Sequence, residues 1–545
     1  MIRRLTDQQA RWVETTLNSL SLEQCIGQLL CISQFRLSSD DWLRLIEEKQ
    51  IGAMRARTQS VEAYRELLLE AQKHSPIPLL VPANMESGAA ELRGYGTAFP
   101  PQMGAGAAGD ETLMALRGKA IAVEARYVGI NWTFSPVVDL NYNPDNPITN
   151  IRSLGDDPER VSRLATTMIR AVQQHGLAAT AKHFPGDGID DRDQHLLTTV
   201  NSMPFDQWME TYGRVWKAVI DAGVLCIMPG HISLPDYQGY AEDPESAMPA
   251  TFSRKLLVDL LRQELGFEGL IVSDNASMMG ITTRAPADER VVKAIASGID
   301  VYLNADPDLD YDRLLNAVRD GRLDEERVRQ AARRVLEMKA RLKLFEGSFG
   351  PAPTREETAA FQRAALEMAE KSITVLRSRA GEPLLPELFP SAKALTVTYG
   401  QLNPRMGMKD LEAFDQELRD RGFDVDHLLN PESQELRSAA AEHDIVFINL
   451  FAMPMMSLGS ARLTSTFRTW GWRSLFADHP AVAYTTFGSP YVGYELPHIP
   501  NLVATFGASD DSQRAAVKVW LGELEPQGSL PVQMRRVEIK PWPTA

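Results

Sequence analysis

Two polar stretches, each closing a hydrophobic run, carry the residue types that proton transfer and nucleophilic attack need. The first, Lys182-His183-Phe184-Pro185-Gly186-Asp187-Gly188, runs on to Asp193-Gln194-His195. It offers a cation, two imidazoles and a carboxylate beside a Pro-Gly turn that cannot continue a strand. The second, Gly269-Leu270-Ile271-Val272-Ser273-Asp274-Asn275, holds one carboxylate just past a Leu-Ile-Val segment of buried type. Together they look like an acid/base and a nucleophile.

Such groups work only if the fold brings them to one place. Between Ile26 and Asp306 the chain shows eight apolar, β-prone runs, over 26–35, 51–57, 78–86, 131–140, 176–184, 224–232, 269–275 and 298–304. Amphipathic segments of helical period fill most of the gaps, which predicts parallel strands with helical crossovers. Eight β/α units is the number that closes a (β/α)8 barrel of the TIM type, and that is the expected fold. Asp157-Pro158-Glu159 reads as a helix start, with a capping Asp, a first-turn Pro and an acid near the positive helix end. Ser253 is expected to open a helix that Gly266 closes.

A basic helix is expected around 324–343, then a turn-rich linker from Phe345 to Pro353 and a connecting helix to about 371. Beyond it a second alternating series, with strands expected at 372–377, 393–400, 423–429, 444–450, 481–487 and 501–507, reads as a smaller α/β sandwich. The expected domains are a catalytic barrel over 1–345, a linker and helix over 346–371, and the sandwich over 372–545.

Active sites of such barrels lie at the carboxyl ends of the strands, and polar residues gather there in this sequence. Asn84 and Glu86 end the third run, Asp139 the fourth, Lys182 and His183 the fifth, His231 the sixth and Asp274 the seventh, with Arg152 in the loop after the fourth. Taken singly, Asp139 reads as a loop cap or an arginine partner. His231 reads equally as a packed loop imidazole or a subsite wall.

Bulk properties narrow the function classes. With 545 residues the chain exceeds one compact core, and 44% hydrophobic with 24% charged residues is ordinary for a globular protein. No apolar run approaches the ~20 residues that span a bilayer, so no membrane partner is expected. The polar, acid-containing start lacks the apolar core of an export signal, which points to the cytoplasm. Cys25, Cys31 and Cys226 are too scattered for a disulfide framework or a zinc site, and no metal or cofactor is expected. A net charge of −15 argues against a nucleic-acid partner.

The stretch from Lys182 to Gly188, four residues, then Asp193-Gln194-His195, resembles the signature of the β-N-acetylglucosaminidases of glycoside hydrolase family 3, where the pattern is KHFPGxG, four residues, then Asp, Ser or Thr, and His. Further likeness lies in Phe134 to Asp139, in Arg152 to Pro158, and in Phe252-Ser253 leading through Glu264 to Gly269 and on to Ser273-Asp274. These motifs keep the family's order from about residue 20 to 340, and 372–537 resembles its C-terminal domain more weakly. The resemblance implies Asp274 as the nucleophile of a retaining mechanism and His195, oriented by Asp193, as general acid and then base. It implies a carbohydrate substrate gripped by Lys182, His183 and Arg152, with Asn84, Glu86 and His231 also lining the subsite.

Three departures from the family pattern bear on specificity. Asn84 stands in Asn84-Met85-Glu86-Ser87-Gly88 where the family carries a sugar-binding Asp, so the charge is lost. Gln194 replaces a small Ser or Thr, and Asn275 follows the nucleophile position where Asp is common. The loop from Phe451 to Leu463 holds no Asp or Glu, which suits a histidine acid, while Met453, Met455 and Met456 are expected to pack against the barrel rim. The expected activity is release of a terminal GlcNAc-like sugar, with cell-wall fragments as a source. The alternatives are a family 3 phosphorylase, a β-glucosidase, a metal-dependent barrel hydrolase using His183, His195 and His231, or a non-catalytic sugar-binding protein.

Overall fold

The computed structural model describes residues 2, 4–33, 37–55, 60–92, 94–379, 384–385, 391–400, 411–454, 456, 463 and 470–535. Two domains of α/β type follow one another. In the first, short strands alternate with helices: β1 (Leu30–Ile32), β2 (Ala53–Met54), β3 (Pro82–Ala83), β4 (Trp132–Thr133), β5 (Thr180–Phe184), β6 (Thr199–Val200), β7 (Cys226–Pro229), β8 (Ile232–Ser233), β9 (Leu270–Ile271) and β10 (Tyr302–Leu303). Every pairing among them is parallel. The sheets run β10-β1-β2, β3-β4 and β5-β7-β9, with β6-β8 as a small separate pair. Single parallel bridges join Ala53 to Leu80, Trp132 to Ala178 and Val272 to Val301.

Alternation along these strands sorts their side chains into two packed sets. Leu30, Ile32, Met54, Val81, Ile227 and Ile271 pack with the helices. Cys31, Ala53, Leu80, Trp132, Ala178, Cys226, Leu270 and Val301 pack together with Val335 and Met338 of helix Glu325–Arg341 and with Leu342, which caps its end. The helices begin where their caps dictate. Asp157 accepts from Glu159 N at 3.0 Å with Pro158 in the first turn, and Ser253 Oγ accepts from Leu256 N at 3.3 Å, just before the π-helical Lys255–Glu264.

One apolar run divides between two elements. Residues 26–28 of the expected strand 26–35 close helix Leu22–Gln28, whose start is fixed by a capping box between Ser21 and Gln24. Ile26-Gly27-Gln28 is too short to show a period of its own, so the cap upstream decides. The run 131–140 is likewise cut to β4, because Pro136 has no N–H to donate to a ladder.

The second domain is one six-stranded sheet: β11 (Thr374–Arg377), β12 (Lys393–Gly400), β13 (Asp424–Leu429), β14 (Ile445–Phe451), β15 (Val482–Thr486) and β16 (Leu502–Ala504), in the order β11-β16-β15-β14-β12-β13. Only β11 is antiparallel. Phe414, Leu418 and Trp520 cover one face and Leu436, Trp472 and Leu475 the other. Helix Arg355–Ser372 belongs to the first core through Phe361 and Met368, while its Glu370 pairs with Lys518 of the second domain at 2.8 Å. Met103, Ala107 and Ile151 meet Tyr491, Phe506 and Val532, and Met453 packs beside them. Met456 is instead 60% exposed, and Met455 lies outside the described residues. Among the described residues no helix is long and apolar enough to cross a membrane.

Candidate active site

The carboxyl ends of β3, β5, β7 and β9 and the loops that follow them hold the expected residues in three linked groups. The first centres on Glu86. Arg152 grips its carboxylate with two bonds, Nε at 2.9 Å and Nη2 at 2.8 Å, and Lys182 Nζ approaches Oε1 at 2.7 Å. Asn84, on the same strand end, is exposed. Glu91, not singled out from the sequence, accepts from Ser87 N at 2.5 Å and fixes the turn that follows Glu86. The only hint of it was an acid five residues further on.

Asp139 organises the second group. Its Oδ2 lies 2.7 Å from His183 Nδ1, and its Oδ1 accepts from the backbone N–H of His183 at 3.1 Å and of Asp187 at 2.8 Å. The partner of Asp139 is thus an imidazole rather than an arginine. That contact fixes the ring so that His183 Nε2 stands 4.0 Å from Asp274 Oδ2.

The third group carries the Asp-x-His element. Asp193 is buried, and its Oδ1 accepts from His195 N at 2.8 Å and contacts His195 Nδ1 at 2.7 Å. The His195 side chain keeps 21% exposure, so its other edge faces open space. His195 O accepts from Met279 N at 3.0 Å, which ties this loop to the segment after β9 that bears Asp274. His231 is completely buried, with Nδ1 2.9 Å from Thr251 Oγ1 and Nε2 3.0 Å from Asn275 O. Both ring nitrogens are engaged within the protein, so the geometry is that of a packed loop imidazole.

Residues 21–338 match the Glycosyl hydrolase family 3 N terminal domain. The chain belongs to glycoside hydrolase family 3. It is therefore a glycoside hydrolase. It is 32% identical to a β-N-acetylglucosaminidase/β-glucosidase of Cellulomonas fimi, over 97% of this chain and 96% of that one. Among solved structures it is similar to a β-glucoside phosphorylase, BglX, bound to 2FGlc, with a TM-score of 0.88, 30% identity and 97% of each chain covered. It is also similar to a family 3 β-N-acetylglucosaminidase from Paenibacillus sp. str. FPU-7, with a TM-score of 0.83, 27% identity, and 95% of this chain and 99% of that one covered.

Burial and neighbouring charges compete in this family 3 site. For Asp274 burial works against ionisation, but the charges of His183, His231 and His195 and the Asn275 N–H outweigh it and hold the carboxyl below its ordinary value. Glu86 follows the same logic more strongly: burial opposes, Arg152 and Lys182 prevail, and the group stays ionised. Burial pushes the His231 imidazole down from its ordinary value. Asp187 goes the other way, pushed up to about 7 by burial and by the Asp139 charge, against His183, the Gly188 N–H and Asn146. Among the described residues no group of three or more His, Cys, Asp or Glu side chains is arranged to hold a metal ion.

Proposed function

We propose that this chain is a retaining exo-β-N-acetylglucosaminidase of the β-N-acetylhexosaminidase type, releasing terminal GlcNAc-like sugars. Asp274 attacks the anomeric carbon and forms a glycosyl-aspartate. His195 gives its Nε2 proton to the leaving oxygen and then takes one from the incoming water, while Asp193 holds Nδ1 and supports the imidazolium. Lys182, His183 and Arg152 orient the sugar hydroxyls with Asn84 beside them, Glu86 holds the two cations in register, and His231 backs the Asn275 carbonyl. The observation that carries this reading is the Asp193–His195 pair at 2.7 Å on a loop bonded to the segment that bears Asp274.

The scaffold belongs to the same proposal. The bridges Ala53–Leu80, Trp132–Ala178 and Val272–Val301 fall where a closed eight-stranded (β/α)8 barrel needs its seams, which supports a catalytic barrel over 1–345, a connecting helix over 346–371 and an α/β sandwich over 372–545. Buried, unpaired Cys25, Cys31 and Cys226 suit a cytoplasmic enzyme acting on cell-wall fragments.

An aryl β-N-acetylglucosaminide tests the reading: the protein releases the aglycone with retention of configuration. No release at any enzyme concentration, with an aryl β-glucoside turned over instead, overturns the sugar assignment. Likeness to the β-glucoside phosphorylase favours a second reading, in which phosphate replaces water and yields a sugar 1-phosphate. Running the same assay with and without phosphate separates the two.

A further inference from the structure

Gln194 lies between Asp193 and His195 in sequence, and its side chain is buried, with only 1% exposure. Its Oε1 accepts from His231 N at 3.0 Å, and its Nε2 donates to Asp187 Oδ2 at 3.3 Å. Both partners are rigidly placed. His231 reaches onward to the carbonyl of Asn275, next in sequence to Asp274. Asp187 is held through its own N–H by Asp139, whose other oxygen contacts His183, and through Oδ1 by Asn146 at 2.8 Å.

One amide therefore ties the loop bearing His195 to Asp187 after β5 and to His231 after β7, and through them to His183 and the segment bearing Asp274. The surroundings leave little slack. A β-carbon at Gly230 would fall 2.9 Å from Gln194 Oε1, and one at Gly280 would fall 2.6 Å from Gln194 O and 2.7 Å from His231 Cβ. A serine or threonine at 194 has neither the length to reach His231 N nor a second polar atom for Asp187.

We infer that Gln194 is a positioning residue, a buried brace that fixes His195 relative to Asp274 before substrate arrives. Geometry of this kind counts in rate because proton transfer falls off steeply once donor and acceptor leave hydrogen-bond reach. The inference rests on the reading of His195 as acid/base, and the two fail in different ways.

The test compares Gln194→Ser and the nearly isosteric, apolar Gln194→Met with wild type, on an aryl glycoside of poor leaving ability and on a dinitrophenyl glycoside. The sugar is whichever one the wild type turns over. An acid is needed only for the poor leaving group, so kcat/KM there is expected to fall about 10- to 100-fold, against less than about 3-fold for the dinitrophenyl substrate. In a His195→Ala background the same substitutions are expected to add nothing, because they act through the missing imidazole.

Equal losses on both substrates, or full additivity with His195→Ala, overturn the brace. If His195→Ala itself shows no leaving-group dependence, the acid/base reading fails first. Melting curves decide the remaining case: if both variants lose their folded transition, Gln194 is a folding contact and the inference falls.

Discussion

The first domain and the C-terminal sheet both present the carboxyl ends of parallel strands, yet they fill them in opposite ways. At β3, β5 and β9 the ends carry Glu86, Lys182, His183 and Asp274, linked into ion pairs and left partly open, with Asp274 at 14% side-chain exposure. At β12, β14 and β15 the ends carry Thr398, Asn449, Thr485 and Thr486, which are neutral and sealed from solvent. Thr485 accepts from Trp520 Nε1 at 2.8 Å, while Thr398 Oγ1 and both amide atoms of Asn449 have no partner among the described residues. A buried charge costs several kcal/mol unless it is matched, so charges collect only where counter-charges can be held beside them. Position at a strand end is shared by both regions; matched ionisable groups around an opening are not.

The sharpest break between the two regions is expected at Asp274. Asp274→Ala should lower kcat/KM on an aryl β-N-acetylglucosaminide by about 10³-fold or more, since it removes the proposed nucleophile. Retention of wild-type rates would move the nucleophile elsewhere and dissolve the contrast.

The expectation for that residue, as for His195 and Lys182, rested on family motifs more than on any single position. Lys182 and His195 fall in one contiguous stretch and Asp274 in another about 80 residues on, and strand ends concentrate polar residues against an apolar background. The C-terminal strands were legible for the same reason: the apolar runs 393–400, 444–450 and 481–487 coincide with β12, β14 and β15 to within a residue. What stayed hidden depends on contacts across the chain. Nothing local shows that Asp139 meets His183, 44 positions away, or that Gln194 reaches His231, 37 positions away. Helix Leu22–Gln28 was hidden for another reason, since its short apolar end has no distinguishing period.

Charge matching in the first region predicts the next largest effect. Glu86→Gln leaves Lys182, 3% exposed, and Arg152 without their shared counter-charge, and should cost about 3 kcal/mol of stability at neutral pH. The folded carboxyl lies below its ordinary value, so its contribution is full above that value and lost as pH falls through the folded one. The melting-temperature gap between wild type and variant should therefore shrink below about pH 4. A gap independent of pH would mean that the loss is one of packing.

A smaller shift is expected from His183. Burial raises the Asp274 carboxyl, and His183, 4.0 Å away, is foremost among the groups that lower it. In His183→Asn burial has less to oppose it, so the carboxyl ionises at higher pH and the acid limb of kcat/KM should move to higher pH. An unmoved limb would show that Asp274 is not the group titrating there.

The smallest effect tests the sealed side of the comparison. In β14, Asn449 sits between Thr398 and Thr485 in register, with no exposure and, among the described residues, no side-chain hydrogen bond to offset its lost hydration. Valine is shorter of polar atoms, prefers strands and needs no partner, so Asn449→Val should stabilise the second domain by about 1 kcal/mol, or about 2–4 °C in melting temperature. Activity should stay within about twofold, because none of the contacts that hold Asp274 or His195 passes through this sheet. If the variant melts higher but turns over far more slowly, the neutral strand ends of the second domain act on the site as well. The division between a charged, open end and a neutral, closed one would then have to be redrawn around Asn449.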